Sequence, residues 1–396
     1  MNLRAVLKMH VVVDGIIFQK DPHGGIARVY RELLPRMCEQ SPDLSITLIT
    51  DGPLRAALPQ HPQIQKKALP PIRRTLRPKG ALRLALYPFR RVAGRLWNVV
   101  RQGWVGSGDG AIWHSTFYTT PARWRGAQVV LVHDMIQERF TQFFNDPMDE
   151  VGRDQKRRCI QSATVIACNS ETTRQEMENY YGKLKQPQHV IYLAHSETFR
   201  RLSADSFSTL DQIHEPFLLY VGSRVHYKNF ALLLQAYAGW EQRERVRLLV
   251  IGKPWQPEER RRLEDLRIAG QVQLIENVDD ELLCQLYNRA VALVYPSLAE
   301  GFGIPLLEAM ACGCPLVASR IPSTLEVAGD LAFYFEPDDA TQLCAALDAC
   351  LAQGKDPARL AAAERRAAQF SWERSAGAML AVYQEAQALQ QRVILL

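Results

Sequence analysis

Short apolar runs alternate with segments of helical period through the second half of the 396-residue chain, and this alternation constrains the fold most strongly. Each run holds three to five residues, and amphipathic helical patterns separate one run from the next. Strands that are apolar along their whole length are covered on both faces, which is typical of parallel sheets between layers of helices. The predicted strands are Phe217–Val221, Leu248–Ile251, Val272–Ile275, Ala292–Tyr295, Leu316–Ala318 and Ala332–Phe335.

The first half of the chain shows a similar but less regular alternation. Its predicted helices include Ile26–Glu39 and Glu171–Tyr180. Together the halves predict an α/β fold of two doubly wound, Rossmann-like domains that join between Glu197 and Glu215. Ligands of such sheets bind beyond the carboxyl ends of the strands, so we expect the site in the cleft between the domains. The predicted strands of the first half are Met9–Val13, Ser45–Thr50, Ala111–His114, Gln128–His133, Thr164–Cys168 and His189–Tyr192.

Composition excludes several other classes of protein. With 47% apolar and 23% charged residues, the chain is neither mainly disordered nor fibrous. No window of 18 apolar residues predicts a membrane span, and the first 17 residues lack the pattern of a secretory signal. The eight cysteines form no CxxC pair. We therefore expect a cytoplasmic protein with reduced, mostly buried cysteines.

Basic residues concentrate in one segment, Gly52–Gly108, which contains twelve of them and no acidic residue. Five apolar residues between Leu82 and Val100 fall on one side of a helix, so the segment has the character of a basic amphipathic surface. Such a surface suits either an anionic membrane, through residues 66–101, or a solvated face that covers the domain's own core. Nucleic acid is the least favoured partner, since no binding motif accompanies the charge.

The segment from Ser297 to Gly313 contains the most specific motif, two carboxylates eight positions apart at Glu300 and Glu308. Gly301 and Gly303 permit close backbone approach at the start of a predicted helix, where free N–H groups favour an anion such as a diphosphate. Eight helical steps span about 12 Å, too far for the paired carboxylates of a retaining glycosidase. The two glutamates therefore fit the hydroxyl groups at the two ends of one extended ligand, unless they are only a helix-start and a surface carboxylate.

This segment resembles the Glu-x7-Glu motif of the retaining, nucleotide-sugar-dependent glycosyltransferases of family four, which have the GT-B fold. The resemblance is dense from Tyr220 to Trp372 and sparser before it. It is closest to bacterial mannosyltransferases of O-antigen, capsule and exopolysaccharide synthesis. Other matching positions are the basic dyad Arg224 and Lys228, the glycine loop Gly24–Gly25, the sugar-site turn His133–Asp134, the base-binding turn Val278–Asp279, and Phe370–Glu373 at the start of the final crossing helix.

The resemblance divides the chain into an acceptor-binding domain at 1–200, a nucleotide-sugar domain at 201–372 and a helix at 373–396 that returns to the first domain. It implies retaining transfer of a hexose without a metal ion or other cofactor. The implied catalytic residues are Glu300, which orients sugar hydroxyls, Arg224 and Lys228, which neutralise the diphosphate, and His133, which contacts the sugar. The implied donor-binding residues are Gly24, Gly25, Gly222, Lys253, Val278, Gly301, Phe302, Gly303 and Glu308, the last of these on the ribose.

Simpler interpretations of these residues stay open. Arg224 and Lys228 could be solvated loop cations, and Gly24 with Gly25 could serve only a tight turn. A lone histidine at a strand end, such as His133, is often just a hydrogen-bonded core residue. A surface loop accounts for Lys253 as well as a diphosphate contact does.

The predicted reaction moves a hexose from GDP-mannose, or alternatively a UDP-hexose, to a glycan or lipid-linked acceptor in bacterial surface polysaccharide synthesis. The rival functions are a nicotinamide-dependent oxidoreductase, a sugar-nucleotide epimerase of the same fold and a non-catalytic nucleotide-binding protein. The oxidoreductase is disfavoured because no GxGxxG fingerprint is present. We expect a cytoplasmic location, peripheral on the inner face of the membrane if the basic segment contacts lipid.

Overall fold

The first domain is built on a parallel sheet. The computed structural model describes residues 8–20, 25–50, 52–69, 105–121, 123–203 and 215–394. Within them this sheet has seven strands in the order β3-β2-β1-β4-β5-β6-β7. Every neighbouring pair of strands is parallel. The strands are β1 (Met9–Asp14), β2 (Leu44–Thr50), β3 (Ile64–Ala68), β4 (Ala111–Ser115), β5 (Ala127–Val132), β6 (Val165–Cys168) and β7 (Gln188–Val190).

A second parallel sheet, with six strands in the part of the chain that the structure covers, forms the other domain in the order β10-β9-β8-β11-β12-β13. Both orders reverse direction beside the first strand of their domain, as in doubly wound folds. The predicted α/β fold of two Rossmann-like domains is confirmed. The strands are β8 (Phe217–Val221), β9 (Arg247–Ile251), β10 (Val272–Ile275), β11 (Ala292–Tyr295), β12 (Leu316–Ser319) and β13 (Ala332–Phe335).

Helices cover the faces of both sheets, and one apolar cluster continues from the first domain into the second. The helices of the first domain are α1 (Ile17–Lys20), α2 (Gly25–Gln40), α3 (Ile136–Arg139), α4 (Pro147–Ser162) and α5 (Glu171–Tyr181). The later helices are α6 (Phe230–Gly239), α7 (Pro257–Asp265), α8 (Asp280–Arg289), α9 (Ile304–Ala311), α10 (Pro322–Ala328), α11 (Ala340–Gln353), α12 (Pro357–Ala367) and α13 (Trp372–Ile394).

The last helix, α13, leaves the second domain and packs against α2 and strands β4 to β6 of the first. The Ser371 hydroxyl accepts the Arg374 N–H at 3.2 Å, so it caps the first turn of α13. Deeper in the contact, the Tyr383 hydroxyl lies 2.8 Å from Nδ1 of His114, and both side chains are buried. The chain therefore crosses between the domains a second time at its C-terminal end.

Strand β3 was not predicted from the sequence, because only its first residue, Ile64, is buried. Its other side chains are exposed at the sheet edge, and lysines are common on such edges. Two of the twelve basic residues, Lys66 and Lys67, thus belong to this strand. Residues 70–104, which carry most of the predicted basic amphipathic surface, lie outside the described residues. None of the described helices is both long and apolar enough to span a membrane.

Candidate functional site

The two domains meet where the loop after β11 contacts the turn after β5. The Gly301 carbonyl accepts hydrogen bonds from the Ser170 hydroxyl at 2.5 Å and the Thr173 hydroxyl at 3.1 Å, both at the start of α5. On its other side Gly301 faces the His133 carbonyl so closely that a Cβ would overlap it. Only glycine permits this approach, so the glycine predicted for donor binding also forms the contact between the domains.

Lys228 and Glu300 form an ion pair at the carboxyl edge of the second sheet. Lys228 ends a short 3-10 turn after β8, and its Nζ lies 2.6 Å from Oε1 of Glu300. The Ser297 hydroxyl donates to the same oxygen at 2.5 Å. The side chains are 20% and 9% exposed, so the pair is largely shielded from water. The structure thus brings two of the predicted catalytic residues together.

Arg224, the other member of the predicted dyad, lies in a different environment. Its Nε donates to Glu259 at 2.7 Å, and Nη2 donates to the Lys253 and Pro254 carbonyls at 2.9 and 3.0 Å. The guanidinium also stacks over the Trp255 ring at 4.5 Å and is only 5% exposed. In this structure Arg224 fixes the loop after β9, and its contact with a diphosphate stays a prediction.

Two of the predicted donor-binding glycines, Gly222 and Gly303, lie in the loops that follow strands β8 and β11. Gly303 precedes α9 with a φ of +128°, in the region that favours glycine, so the N-terminus of that helix lies where an anion was predicted, although Pro305 has no N–H and the Leu306 N–H donates to the Gly303 carbonyl at 3.0 Å. Gly222 directly follows β8. Gly25 is the first residue of α2, whereas Gly24 lies outside the described residues.

The remaining predicted donor contacts are distributed around these turns. The Lys253 side chain is exposed, while its carbonyl is held by Arg224. Val278 is partly buried next to Asp279, whose side chain caps α8 by accepting the Leu282 N–H at 2.8 Å. Phe302 is buried, with its ring centroid 5.8 Å from that of Phe370. Phe302 therefore acts in packing here, and its predicted role toward the donor stays a prediction.

His133 follows β5 and is buried, with no hydrogen-bond partner for Nε2 among the described residues. Burial lowers the pKa of its imidazole to about 4, although neighbouring Asp134 acts in the opposite direction. The ring is therefore neutral at pH 7 and can exchange a hydrogen bond with a hydroxyl group but carries no charge. The Asn169 amide donates to the His133 carbonyl at 2.7 Å and holds the turn in place.

Glu308 lies in the middle of α9 and is held by both domains. Nη1 of Arg28, on α2, is 3.2 Å from Oε1, and the Tyr287 hydroxyl donates to Oε2 at 3.0 Å. Burial raises the pKa of the Glu308 carboxyl to about 7, while Arg28 and the Tyr287 hydrogen bond act to lower it. Glu308 and Glu300 thus each have their own cationic partner, Arg28 and Lys228 respectively.

Sequence reasoning missed Arg28 and Lys156. Arg28 stands three residues after Gly25, in the first turn of a predicted helix, and that proximity to the glycine pair was the only signal for it. Lys156 is 2% exposed, and its Nζ donates to the Asp134 carbonyl at 2.6 Å and to Glu138 at 2.8 Å. Through its hydrogen bond to the Asp134 carbonyl, Lys156 holds the His133–Asp134 turn in place. In the described ranges no group of three His, Cys, Asp or Glu side chains is placed to bind a metal ion.

Glu326 forms a further contact between the domains. The sequence of Ser323 to Glu326 fits a helix-capping box with no function beyond its own helix. In the structure the Glu326 carboxylate instead accepts the N–H groups of Glu171 and Thr172, at 2.6 and 2.9 Å, in the first turn of α5. A carboxylate at a helix N-terminus is favoured by the helix dipole. The second domain therefore caps a helix of the first.

Comparisons with known proteins agree with this arrangement. The model "Glycosyltransferase Family 4" matches residues 23–194, and the model "Glycosyl transferases group 1" matches residues 204–367. The chain is 31% identical over 373 residues to O-antigen chain mannosyltransferase B of Escherichia coli. The alignment covers 89% of this chain and 94% of that relative. The predicted family resemblance is therefore confirmed.

Solved structures share the fold at low sequence identity. HepE of Anabaena in complex with UDP superimposes with a TM-score of 0.66 at 16% identity, over 94% of this chain and 98% of HepE. WaaG, a glycosyltransferase involved in lipopolysaccharide biosynthesis, gives a TM-score of 0.62 at 15% identity, over 91% and 94% of the two chains. Two facing Rossmann-like domains, the family matches and the mannosyltransferase relative lead to one conclusion: the chain belongs to family four of the glycosyltransferases, enzymes of the GT-B fold.

Proposed function

We propose that this glycosyltransferase moves a hexose from a nucleoside-diphosphate sugar to a hydroxyl of a glycan or lipid-linked acceptor, with retention of the anomeric configuration and without a metal ion. The ion pair of Lys228 and Glu300 carries the proposal, because it places a cation and a carboxylate at the start of α9, beside the interdomain contact of Gly301 with His133. The cation can neutralise the charge of a diphosphate, and the carboxylate can accept hydrogen bonds from sugar hydroxyls.

Departure of the diphosphate is the difficult step, since negative charge grows on the phosphate oxygens as the glycosidic bond breaks. In the proposed reaction Lys228 and the positive N-terminal end of α9, which follows Gly303, stabilise that charge. Such a preorganised donor is worth about 3 kcal/mol in the transition state. Arg224 contributes by fixing the loop after β9 and, in this proposal, by its positive charge near the phosphates.

Retention follows if the acceptor attacks from the face that the diphosphate leaves, with the departing phosphate taking the acceptor's proton. This step needs no protein nucleophile, and it fits a site whose two predicted carboxylates are each paired with a cation. Glu300 then positions the sugar and Glu308 the ribose. The neutral His133, whose Nε2 has no partner in the described structure, offers a hydrogen bond to a sugar hydroxyl.

GDP-mannose is the first candidate donor, because the relatives include O-antigen mannosyltransferases of Escherichia coli and Salmonella typhimurium. A UDP-hexose is the second, since the structurally similar HepE was solved with UDP. The O-antigen relatives also favour an acceptor in bacterial surface polysaccharide synthesis. The membrane contact of residues 66–101, which would place the enzyme at the inner membrane face, stays a prediction.

Calorimetric titration with GDP, UDP and ADP sugars tests the donor, and NMR of the product tests the stereochemistry. We expect tight binding of one sugar nucleotide, with GDP-mannose preferred, and an α-linked product from an α-linked donor on mannose oligosaccharides. EDTA should leave the rate unchanged. An inverted product would exclude retention, and binding of none of these nucleotides would exclude the proposed function. An epimerised sugar nucleotide formed without acceptor would indicate the epimerase instead.

The predicted role of Gly25 can be separated from the fold. A Cβ at Gly25 would have no neighbour within 4 Å, so Gly25→Ala should leave the melting temperature nearly unchanged. If the start of α2 approaches the diphosphate closely, the added methyl group should weaken donor binding about tenfold, measured by calorimetry.

Gly239→Ala is the matched control, because it also adds a Cβ in open space but lies at the end of α6. We expect it to bind donor as the wild type does. Equal donor affinity of Gly25→Ala and wild type would show that α2 begins too far from the diphosphate to contact it.

A further inference from the structure

One guanidinium of the first domain joins two carboxylates of the second. Arg28 lies in the first turn of α2, and its Nη2 is 2.6 Å from Oδ2 of Asp280. Its Nη1 is 3.2 Å from Oε1 of Glu308. The guanidinium carbon also lies 5.4 Å from the centre of the Phe199 ring. The helix that begins at Gly25 is therefore tied directly to the predicted ribose carboxylate.

The three charged side chains differ strongly in exposure. Glu308 is 4% exposed, Arg28 17% and Asp280 42%. A carboxylate as buried as Glu308 is costly unless a cation pairs with it, whereas Asp280 has water for compensation. The pair with Glu308 is consequently the more important half of the bridge, and Asp280 mainly holds the guanidinium in position.

The hydrogen bonds to Glu308 use only part of the capacity of its two oxygens. Arg28 donates to one oxygen and the Tyr287 hydroxyl to the other, and each carboxylate oxygen can accept a second hydrogen bond. Among the charged groups near Glu308, the Arg28 cation lowers the pKa of the Glu308 carboxyl, whereas the Asp280 carboxylate raises it. Cys312 also lies close to Glu308, because the Glu308 charge contributes to raising the pKa of the Cys312 thiol.

We propose that Arg28 is a positioning residue of the donor site, which favours the charged form of Glu308 and orients the carboxylate so that its remaining lone pairs accept the vicinal hydroxyls of a nucleotide ribose. The proposal rests on the ribose role given to Glu308 in the proposed function. It makes nucleotide binding depend on α2 lying against the second domain, because the ribose carboxylate receives its cation from the opposite domain.

A competing arrangement predicts the opposite result. If the Arg28 guanidinium occupied the position on Glu308 that the ribose needs, it would have to move away before the ribose could bind. Removing Arg28 would then tighten nucleotide binding. If Arg28 contacted the diphosphate itself, its removal would weaken binding whether or not the ribose carried hydroxyl groups. The sign of the effect and its dependence on the ribose hydroxyls therefore separate the three arrangements.

The test compares Arg28→Met, Arg28→Lys and Arg31→Met by calorimetry with GDP, UDP and their 2′,3′-dideoxy analogues. Arg31 is an exposed arginine of the same helix, so Arg31→Met is the matched control. We expect Arg28→Met to bind the ribonucleotide about tenfold more weakly than wild type, with little change for the dideoxy analogue. Arg28→Lys keeps the positive charge but loses the two-pronged guanidinium, so its ribonucleotide affinity should lie between those of Arg28→Met and wild type.

The pH dependence of ribonucleotide affinity supplies a second readout. A variant that had only lost packing contacts would not shift this pH dependence. Without Arg28 the Glu308 carboxyl loses the cation that lowers its pKa, so it ionises only at higher pH. Ribonucleotide affinity of Arg28→Met should therefore begin to fall at a higher pH than in wild type as the solution is acidified.

Three outcomes would overturn the proposal. These are unchanged or tighter binding by Arg28→Met, an equal loss for ribonucleotide and dideoxy analogue, and a pH profile that does not move. A wild-type chain that binds neither GDP nor UDP would instead overturn the proposed function, and the experiment shows that result before any variant is measured.

Discussion

Replacing Glu300 by glutamine is expected to lower turnover about a hundredfold or more, which is the usual cost of removing one charged group that acts on the transition state. The carboxylate accepts Lys228 Nζ at 2.6 Å and the Ser297 hydroxyl at 2.5 Å on one oxygen. Glutamine keeps the size of the side chain but loses the charge that pairs with Lys228 and that, in the proposed reaction, binds sugar hydroxyls. Turnover is measured by NMR with saturating donor, and melting temperature reports the fold.

Glu336→Gln provides the control for this change. Glu336 is 49% exposed and pairs with Arg320 on the surface, where an ion pair contributes little. We expect wild-type turnover from that variant. Glu300→Ala should lose at least as much activity as Glu300→Gln while remaining folded. Full turnover in Glu300→Gln would show that the charge of this carboxylate does not take part in the reaction.

A second large effect is expected from Gly301→Ala. The added Cβ would overlap the His133 carbonyl oxygen and come within 2.8 Å of its carbon, and both atoms belong to the backbone of the other domain. Because neither backbone can rotate away, the domains must separate at this point. A displacement of about 1 Å at a reacting centre costs roughly a hundredfold in rate, so we expect a loss of that size in turnover.

The same substitution should also destabilise the fold, by about 1–3 kcal/mol, because the overlap is relieved only by backbone movement. The hydrogen bonds from Ser170 and Thr173 to the Gly301 carbonyl would lengthen at the same time. Gly270→Ala is the matched control, since a Cβ there meets nothing within 4 Å. Wild-type stability and turnover in Gly301→Ala would contradict the close contact of the two domains.

The strands of the second domain were predictable because their composition is locally unambiguous. Phe217–Val221 matches the predicted strand from end to end, since five consecutive apolar residues between polar turns are typical of a strand buried on both faces. Strand Ile64–Ala68 was not predictable, because four of its five side chains are exposed and no apolar pattern marks it. Its strand conformation comes from pairing with Leu44–Thr50, which no local pattern records.

The same distinction applies to the site. Glu300, Lys228 and His133 could be proposed from the sequence because each lies in a motif that resembles the family's, at or beyond the end of a predicted strand, and parallel strands end at one edge. Their partners could not, because pairs such as Arg28 with Glu308, 280 positions apart, form only when the domains are folded against each other. Arg224 likewise pairs with Glu259, 35 positions along the chain, and no local pattern marks that contact.

The position of α13 has a consequence for how the protein is made. A ribosome releases the seven-stranded sheet long before Trp372–Ile394, yet this helix supplies the cover over β4 to β6 and the Tyr383 hydroxyl that meets buried His114. The amino-terminal half therefore lacks this cover during translation, with apolar surface exposed, until α13 has left the exit tunnel. Expressing either half separately would remove that cover, so the two lobes are one unit of biosynthesis as well as of catalysis.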